Sequence, residues 1–261
     1  MNYYGWNDCS FDVKEQIENL VNVLKDYLKN NLVGIYLHGS LCLGCYVQGL
    51  SDIDLIILTS SQMEANDKFS LMQILGNIHK RPAPLHLTIL HTSDINPWQY
   101  PTQFQLQFSE FWKSIFESAL FNNKLQQHDI FDGKIETEIA ASIHLINQEG
   151  ICLYGKPIKE AFPQIPEEHF WDSISTDIDK FVLVNESDIL TISRIWSYKE
   201  EKRILSKMEA GEWVQSRIPE EFVYIIQSAV RSRYLEGHSK QYSITDLKKL
   251  KEFIVLKLVE V

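Results

Sequence analysis

The sequence predicts an α+β domain, a mixed sheet with helices, followed by an all-α helical bundle. Two observations favour this architecture. Short apolar runs typical of strands alternate with helical spacing before about residue 135, whereas helical spacing alone dominates from there to residue 261. The chain also shows no internal repeat and no low-complexity linker. We set the boundary after residue 155, which gives domains 1–155 and 156–261 packed without a flexible joint.

The first domain is predicted to contain two helices and three strands. Apolar residues at helical spacing indicate helices over 11–30 and 62–80. The three predicted strands are Val33–His38, Asp52–Thr59 and Pro84–His91. In the third strand, His86 and Thr88 face away from the leucine and isoleucine side chains, because successive residues of a strand point to opposite faces.

Two further segments of this domain are rich in aromatic residues. The segment Pro97-Trp-Gln-Tyr-Pro101 is predicted to be a rigid connection, because each proline fixes its own φ and restricts the residue before it. Aromatic residues recur through 103–120, and we interpret them as core residues: Phe104, Phe108, Phe111 and Phe116.

From residue 135 onward every predicted element is a helix. The boundaries come from capping signals, which are a hydroxyl or amide residue at the start, a glutamate three residues later, and a glycine at the end. The predicted helices are 135–149 ending at Gly150, 166–184, Ser187 through Leu205, one opened by the capping box Ser206–Glu209, Pro219 to near Gly237, and a last one starting at Ser243 or Thr245.

The composition limits the class of protein and its partners. A net charge of −10 argues against a nucleic acid partner, which favours a basic surface, and is compatible with a cationic small substrate. No apolar run is long enough to span a membrane, and the first residues lack the pattern of a signal peptide. We therefore expect a cytoplasmic monomer without membrane partners.

The most informative pattern joins Gly39 and Ser40 to Asp52 and Asp54. A strand ends in this Gly-Ser turn, and the next strand opens with two carboxylates at i and i+2, which point the same way on a strand. Such carboxylates bind Mg²⁺ together with substrate phosphates, and a Gly-Ser turn offers N–H groups and a hydroxyl to phosphate. The pattern predicts a nucleotide triphosphate site and nucleotidyl transfer.

The four cysteines, at positions 9, 42, 45 and 152, do not indicate a disulfide framework or a zinc site. Cys42 and Cys45 have the spacing of a zinc or redox pair, but a tetrahedral zinc site needs a second pair, which is absent. We interpret both as small buried residues beside the Gly-Ser turn.

These residues resemble the streptomycin/spectinomycin adenylyltransferases, members of the polymerase-β-like nucleotidyltransferase superfamily, over nearly the whole chain. The landmarks are Gly34-Ile-Tyr-Leu-His-Gly-Ser40, Ser51-Asp-Ile-Asp-Leu55, Pro97-Trp-x-Tyr-Pro101, Phe108-Ser-Glu110, Leu153-Tyr-Gly155, Leu190-Thr-Ile-Ser-Arg-Ile195, Ser206-Lys207 and Glu212-Trp213. Because the last three lie in the helical domain, the resemblance exceeds a general nucleotidyltransferase signature.

The resemblance implies a division of roles in a reaction that moves AMP from ATP to an aminoglycoside hydroxyl. Asp52 and Asp54 would hold Mg²⁺ against the ATP phosphates, and the Gly39-Ser40 turn would bind those phosphates. From the helical domain, two basic residues would reach the nucleotide, which implies a site between the domains; these are Arg194 and Lys207.

Three positions depart from the pattern of the drug-modifying relatives. Where the family has a glutamate acting as general base, this chain has His86, which either accepts the proton itself or leaves the base missing. Phe111 occupies the position of a tryptophan that packs on the drug, and Trp112 follows it. Val184 stands where the family has an aspartate that recognises streptomycin. Four acidic residues close to it in the sequence are the candidates to take over that contact: Asp177, Asp179, Glu186 and Asp188.

Because of these departures, two alternative functions remain open besides that of an antibiotic-modifying enzyme. The first is an adenylyltransferase acting on a different small-molecule or protein hydroxyl, which Phe111 and Val184 favour. The second is a nucleotide-binding relative with lost or weak catalysis, although the attached helical domain argues against a small regulatory module.

Overall fold

A computed structural model describes residues 3–121, 130–176, 178, 182–236 and 242–259, with the side chains of 235 and 236 excepted. The strands are β1 Tyr3–Tyr4, β2 Leu32–His38, β3 Tyr46–Val47, β4 Ile53–Thr59, β5 Leu85–His91, β6 Thr102–Gln103, β7 Leu106–Phe108, β8 Ile135–Glu136 and β9 Ile151–Gly155. The helices are α1 Phe11–Leu28, α2 Ala65–Ile78, α3 Thr92–Ile95, α4 Glu110–Phe121, α5 Glu138–Glu149, α6 Ile158–Ala161, α7 Glu167–Ser175, α8 Glu186–Glu201, α9 Lys207–Gln215, α10 Glu220–Arg231 and α11 Ile244–Val259.

The contacts divide the chain into two compact units, Gly5–Ser173 and Ile174–Val261, the second together with Met1–Tyr4. In the first, here called the sheet unit, five strands form one sheet in the order β7-β5-β4-β2-β9. β4 and β5 run parallel, whereas β2 pairs antiparallel with β4 and β9, and β5 pairs antiparallel with β7. This mixed sheet with surrounding helices confirms the α+β prediction.

The core of the sheet unit consists of the aliphatic faces of β2, β4 and β5. These three strands form the centre of the sheet and are almost fully buried, which explains their near-continuous valine, isoleucine and leucine content. Gln16 of α1 adds a polar tie, because its side chain bonds the backbone of Ile78 at 3.1 Å and of Ala83 at 2.8 Å. That tie fixes the segment that leads into β5.

Two details of the sheet unit differ from the sequence interpretation. Phe104, Phe108 and Phe116 are buried as expected, but the interpretation of Phe111 as a core residue is wrong, because its side chain is 65% exposed. The segment over 103–120 is not uniform, since β6 and β7 precede α4. Cys45 is buried as predicted, whereas Cys42 is half-buried and its thiol donates to the Leu37 carbonyl at 3.3 Å.

The second unit, here called the helical unit, contains α8 to α11. α8 begins after Asn185, whose side chain caps Asp188 reciprocally, so the prediction that Ser187 caps this helix is wrong. The helix also ends at Glu201 rather than Leu205. The capping box of Ser206 and Glu209 is present as predicted.

The prediction that every element from residue 135 onward is a helix is wrong, because β8 and β9 lie in this region and α5 begins only at Glu138. α7 ends at Ser175, and residues 182–184 are not helical, so the predicted helix 166–184 is too long. α10 follows Pro219 and continues into a π-helical turn over Ser232–Glu236, whereas Gly237 lies outside the described residues. The domain boundary after residue 155 stays a prediction, since contacts divide the chain between Ser173 and Ile174. Within the described ranges, no helix is both long and apolar enough to cross a membrane.

Candidate active site

The turn after β2 brings the backbone of Gly39 directly against the carboxylate of Asp54. Gly39 has a φ of 72°, a conformation that residues with a side chain rarely adopt. A Cβ at this position would also overlap the Asp54 carboxylate. The close approach follows from the strand register, in which His38 is paired with Asp54. Glycine is therefore required at position 39 by both its backbone conformation and its neighbour.

Ser40 supplies a buried hydroxyl group inside the same turn. The turn is closed by backbone bonds from Leu43 to the Gly39 carbonyl at 3.1 Å and from Cys45 to the Ser40 carbonyl at 2.9 Å. The Ser40 Oγ atom is buried, and no described group is hydrogen-bonded to it. Because an unpaired buried hydroxyl is costly, this atom has an unused capacity for a hydrogen bond.

His86 lies beside Asp54 on the neighbouring strand. β4 and β5 are parallel and in register, so that Asp54 is paired with His86, and His86 Nδ1 lies 3.3 Å from Asp54 Oδ1. The hydrogen bond with Asp54 raises the pKa of His86, although partial burial opposes this. His38, on the other side of Asp54, is buried, and burial lowers its pKa to about 4, so its ring is neutral at pH 7.

The acidic pair does not form a complete metal cage by itself. Asp52 is exposed and precedes β4, whereas Asp54 lies within the strand with 21% of its side chain exposed. Nowhere in the described ranges do three histidine, cysteine, aspartate or glutamate side chains group in a way that could hold a metal ion. Two carboxylates do suit Mg²⁺ when substrate phosphates and waters supply the other ligands.

His86 also lines a pocket within the sheet unit. Its walls come from β2, β4, β5, β7, β8 and α5. The residues that line it are His38, Leu55, His86, Thr88, Gln107, Glu136, Glu138, Ile139 and Ser142. Of these, the sequence had drawn attention only to His86 and Thr88. The Glu136-x-Glu138 spacing and the histidine before the Gly-Ser turn were the available signals for three more.

A buried histidine fixes the start of β5, one residue before His86. The Leu85 backbone N–H donates to His79 Nδ1 at 3.0 Å, so the opposite nitrogen of the ring carries the proton. His79 Nε2 then donates to Glu110 Oε2 at 2.7 Å, at the first residue of α4. The Phe108-Ser-Glu110 landmark therefore anchors a strand, which is a structural role.

The two other departures from the family pattern lie on exposed surface. Phe111, at the start of α4, packs edge-to-face against Trp112 with ring centres 5.7 Å apart. Val184 is 66% exposed in the helical unit. Asp188 accepts the backbone N–H groups of Val184 and Asn185, so its carboxylate serves the start of α8. Glu186 is buried, whereas Asp177 and Asp179 lie outside the described residues.

The two basic residues of the helical unit both lie near the start of α9. Arg194 Nε donates to the Leu205 carbonyl at 2.9 Å, and Lys207 Nζ contacts Ser187 Oγ. These contacts hold both side chains on one end of the unit. Their part in nucleotide binding stays a prediction.

Comparison with known proteins supports the resemblance. Residues 160–258 match the model of the aminoglycoside adenylyltransferase C-terminal domain. A spectinomycin 9-adenylyltransferase from Campylobacter jejuni is 27% identical over 246 residues, covering 89% of each chain. An aminoglycoside (3'') (9) adenylyltransferase from Shigella flexneri is 24% identical over 255 residues, covering 93% of this chain and 92% of the relative.

The fold also has a solved counterpart. The spectinomycin adenyltransferase AAD(9) from Enterococcus faecalis, crystallised with ATP and spectinomycin, superposes with a TM-score of 0.81 at 21% identity. The match covers 95% of this chain and 99% of that one. Residues 160–258 therefore carry the C-terminal domain of the aminoglycoside adenylyltransferases, and the chain is similar to these nucleotidyltransferases over most of its length.

Proposed function

We propose that this enzyme transfers AMP from MgATP to a hydroxyl group of an aminoglycoside-type antibiotic of the streptomycin/spectinomycin class. The observation that carries the proposal is the corner where Gly39, Asp54 and His86 meet across three adjacent strands. The strand register holds three groups together there: the glycine backbone, a carboxylate and an imidazole. That combination suits a triphosphate on one side and an acceptor hydroxyl on the other.

The nucleotide half of the reaction is assigned to four positions of the sheet unit. Asp52 and Asp54 would hold Mg²⁺, which when bound offsets charge on the triphosphate. The Gly39 backbone and the unpaired Ser40 hydroxyl would bind phosphate oxygens. From the helical unit we add two basic residues, whose charges suit a nucleotide: Arg194 and Lys207.

His86 is assigned as the general base. Asp54 holds Nδ1, which orients the ring and leaves Nε2 as the nitrogen that accepts a proton. The acceptor oxygen bonds to the α-phosphorus, the bond from that phosphorus to the bridging oxygen breaks, and pyrophosphate leaves. The proton of the acceptor hydroxyl passes to His86 Nε2.

Spectinomycin is the first acceptor to test. Val184 lacks the carboxylate with which the family recognises streptomycin, and a charge-assisted contact of this kind contributes about 1.5–3 kcal/mol. The relatives named for spectinomycin match over most of this chain. Phe111 and Val184 also favour the second candidate, a hydroxyl acceptor other than these drugs.

The test combines nucleotide binding with turnover. Calorimetry would compare MgATP binding by the wild type, by Asp52→Asn/Asp54→Asn, and by Arg194→Ala and Lys207→Ala separately. We expect the double variant to lose binding and each basic variant to weaken it. Asp26→Asn, an exposed change on α1, is the matched control.

Pyrophosphate release would then be measured with spectinomycin, streptomycin and unrelated hydroxyl compounds. Release with either drug supports the proposal, whereas release only with another compound supports the second candidate. If the double variant binds MgATP as the wild type does, the metal assignment is wrong. If no compound supports turnover, the chain binds nucleotide without the proposed catalysis.

A further inference from the structure

The hydroxyl group of Ser187 does not cap α8, although the sequence pattern predicted that role. Asn185 Oδ1 accepts the backbone N–H of Asp188 at 3.1 Å, and Asp188 Oδ2 accepts the backbone N–H of Asn185 at 3.1 Å, so these two residues cap the helix by themselves. Ser187 is the second residue of α8 and is half-buried. Its hydroxyl group is therefore available for a different contact.

That contact is with the ammonium group of Lys207. Lys207 is the first residue of α9, and its Nζ atom donates to Ser187 Oγ. An ammonium group has three donors and no acceptor, so the serine oxygen is the acceptor of this bond. The bond joins the first turns of two helices and directs a flexible four-carbon side chain towards the start of α8.

The backbone that carries Lys207 is also held by α8. Arg194 Nε donates to the Leu205 carbonyl at 2.9 Å, two residues before Lys207. The capping box that Ser206 opens then fixes the residue in between. Because the backbone is fixed in this way, the remaining freedom of Lys207 lies in its side chain. The Ser187 hydroxyl group acts on that freedom.

The start of α9 is an unfavourable place for a cation. The N-terminus of a helix carries a partial positive charge, which favours a phosphate and disfavours an ammonium group. Two acids in the first turns of α8 and α9 reduce that cost, but their carboxylates already accept backbone N–H groups: Asp188 and Glu209. Glu186, the other acid of the first turn of α8, is buried. Lys207 is therefore placed for an anionic ligand rather than for the stability of α9.

We infer that Ser187 is a positioning residue for the nucleotide, because its hydroxyl group holds the Lys207 ammonium group in the conformation that meets the phosphates of MgATP. The inference rests on the proposed function, which assigns Lys207 to the nucleotide. Without the hydroxyl group, the lysine side chain gains rotamer freedom, and binding must then remove that freedom at a cost in free energy. Ser187 acts through Lys207 and needs no contact with the nucleotide.

A double-mutant cycle tests the inference, with MgATP binding to the whole chain measured by calorimetry. The variants are Ser187→Ala, Lys207→Ala and the combination of both, and Ser187→Thr keeps the hydroxyl group. Ser216→Ala is the matched control, because Ser216 Oγ also accepts from a basic side chain, that of Arg217 at 3.1 Å, but at the opposite end of α9. Circular dichroism melting checks that each variant is folded.

We expect Ser187→Ala to weaken MgATP binding by about 5-fold, which is within the usual net contribution of one hydrogen bond. Ser187→Thr should bind clearly better than Ser187→Ala, and the control should match the wild type. In the Lys207→Ala background, the serine change should have no further effect. A residue that only stabilises the helical unit would weaken binding equally in both backgrounds.

Two results would overturn the inference. One is MgATP binding by Ser187→Ala that equals that of the wild type, and the other is an effect of Ser187→Ala that is the same with and without Lys207. Failure of the proposed function would look different, because either the wild type would not bind MgATP or Lys207→Ala would bind it as tightly as the wild type does.

Discussion

The corner at Gly39 and Asp54 and the pocket beside His86 both involve β2, β4 and β5. Different physical factors nevertheless determine which residues each region accepts. At the corner, backbone meets side chain so closely that one residue type fits. In the pocket, side chains of β5, β7 and α5 meet across open space, and several combinations of polar residues would fill it. Backbone geometry fixes the first region, and side-chain chemistry fixes the second.

This difference explains where the chain keeps the family pattern and where it departs. By the sequence resemblance, the Gly-Ser turn and both aspartates keep the expected pattern, whereas His86 stands where a glutamate base is expected and Phe111 stands where a tryptophan is expected. A side-chain change in the pocket alters its polar lining and leaves the strands in register. A change at the corner moves the Asp54 carboxylate itself. Under the proposed function, the residues assigned to the nucleotide are therefore more constrained than those assigned to the acceptor.

The largest effect is expected from Gly39→Ala. The new Cβ would displace the Asp54 carboxylate and would also be held at a positive φ, a strain of about 1–3 kcal/mol. We expect turnover to fall by on the order of 1,000-fold, because misplacing a group by about 1 Å alone costs roughly 100-fold. Pyrophosphate release and MgATP calorimetry measure the loss.

Gly44→Ala provides the control for this prediction. Gly44 also has a positive φ, of 66°, but a Cβ there meets nothing within 4 Å. The two variants therefore share the backbone strain and differ only in the collision with Asp54. Equal activities of the two variants would show that the corner is not specified by this contact, and the contrast between corner and pocket would fail.

The second effect, at His86, tests the region where the two sites meet. We expect His86→Ala to lower kcat by on the order of 100-fold, the usual contribution of a general base, with MgATP binding unchanged. His86→Glu should recover activity, because a glutamate at this position also accepts a proton. Single-turnover rates with saturating nucleotide measure both. An alanine variant with the full rate would exclude His86 as the base.

The smallest effect is expected from Glu110→Gln, which acts on the anchor of the pocket wall. Hydrogen bonds from Lys80 and His79 lower the pKa of Glu110 to about 2. Because the pKa is depressed in the folded state, the stabilisation is present above the ordinary value of 4.5 and is lost as the pH falls towards 2. The variant should therefore be slightly less stable than the wild type at pH 6, and this difference should be clearly smaller near pH 2.5.

Urea unfolding at the two pH values tests the Glu110 prediction. Glu117→Gln is the comparison, since Glu117 lies on the same helix and pairs with Lys113 at 3.3 Å. A stability difference for Glu110→Gln that grows as the pH falls would contradict the assigned cause. MgATP binding should be unchanged in Glu110→Gln, because Glu110 holds the start of β5 and does not contact Gly39 or Asp54.

The sequence predicted the parts of this fold that depend on local patterns. β2, β4 and β5 appear within one residue of their predicted bounds, because buried central strands are recognisable as apolar runs. The capping box at Ser206 follows from residues three apart. The prediction that Ser187 caps α8 was wrong because Asn185, two residues earlier, forms the cap. Tertiary context decides between such neighbouring candidates.

The site was predictable only where a short motif carries it. Gly39, Ser40, Asp52 and Asp54 are close in the chain, so their pattern was readable. Gln107, Glu138 and His38 come from three different elements, and only the strand order and the position of α5 bring them to one pocket. Phe111 was interpreted as core because an aromatic residue in an apolar segment gives no sign of the direction it faces.

The hydrogen bond from the Leu85 N–H to His79 Nδ1 fixes the register of β5. Asp54 and His86 meet only while the parallel pairing holds, and a slip of one residue would bring a leucine beside Asp54 and turn the imidazole into the core. The number of residues between His79 and Leu85 is therefore constrained by the pairing of Asp54 with His86. The segment that precedes α2, on the other side of the crossover, is held in a comparable way, because the Ser61 N–H donates to Asn31 Oδ1 and the Met63 N–H donates to Gln105 Oε1, both at 2.7 Å.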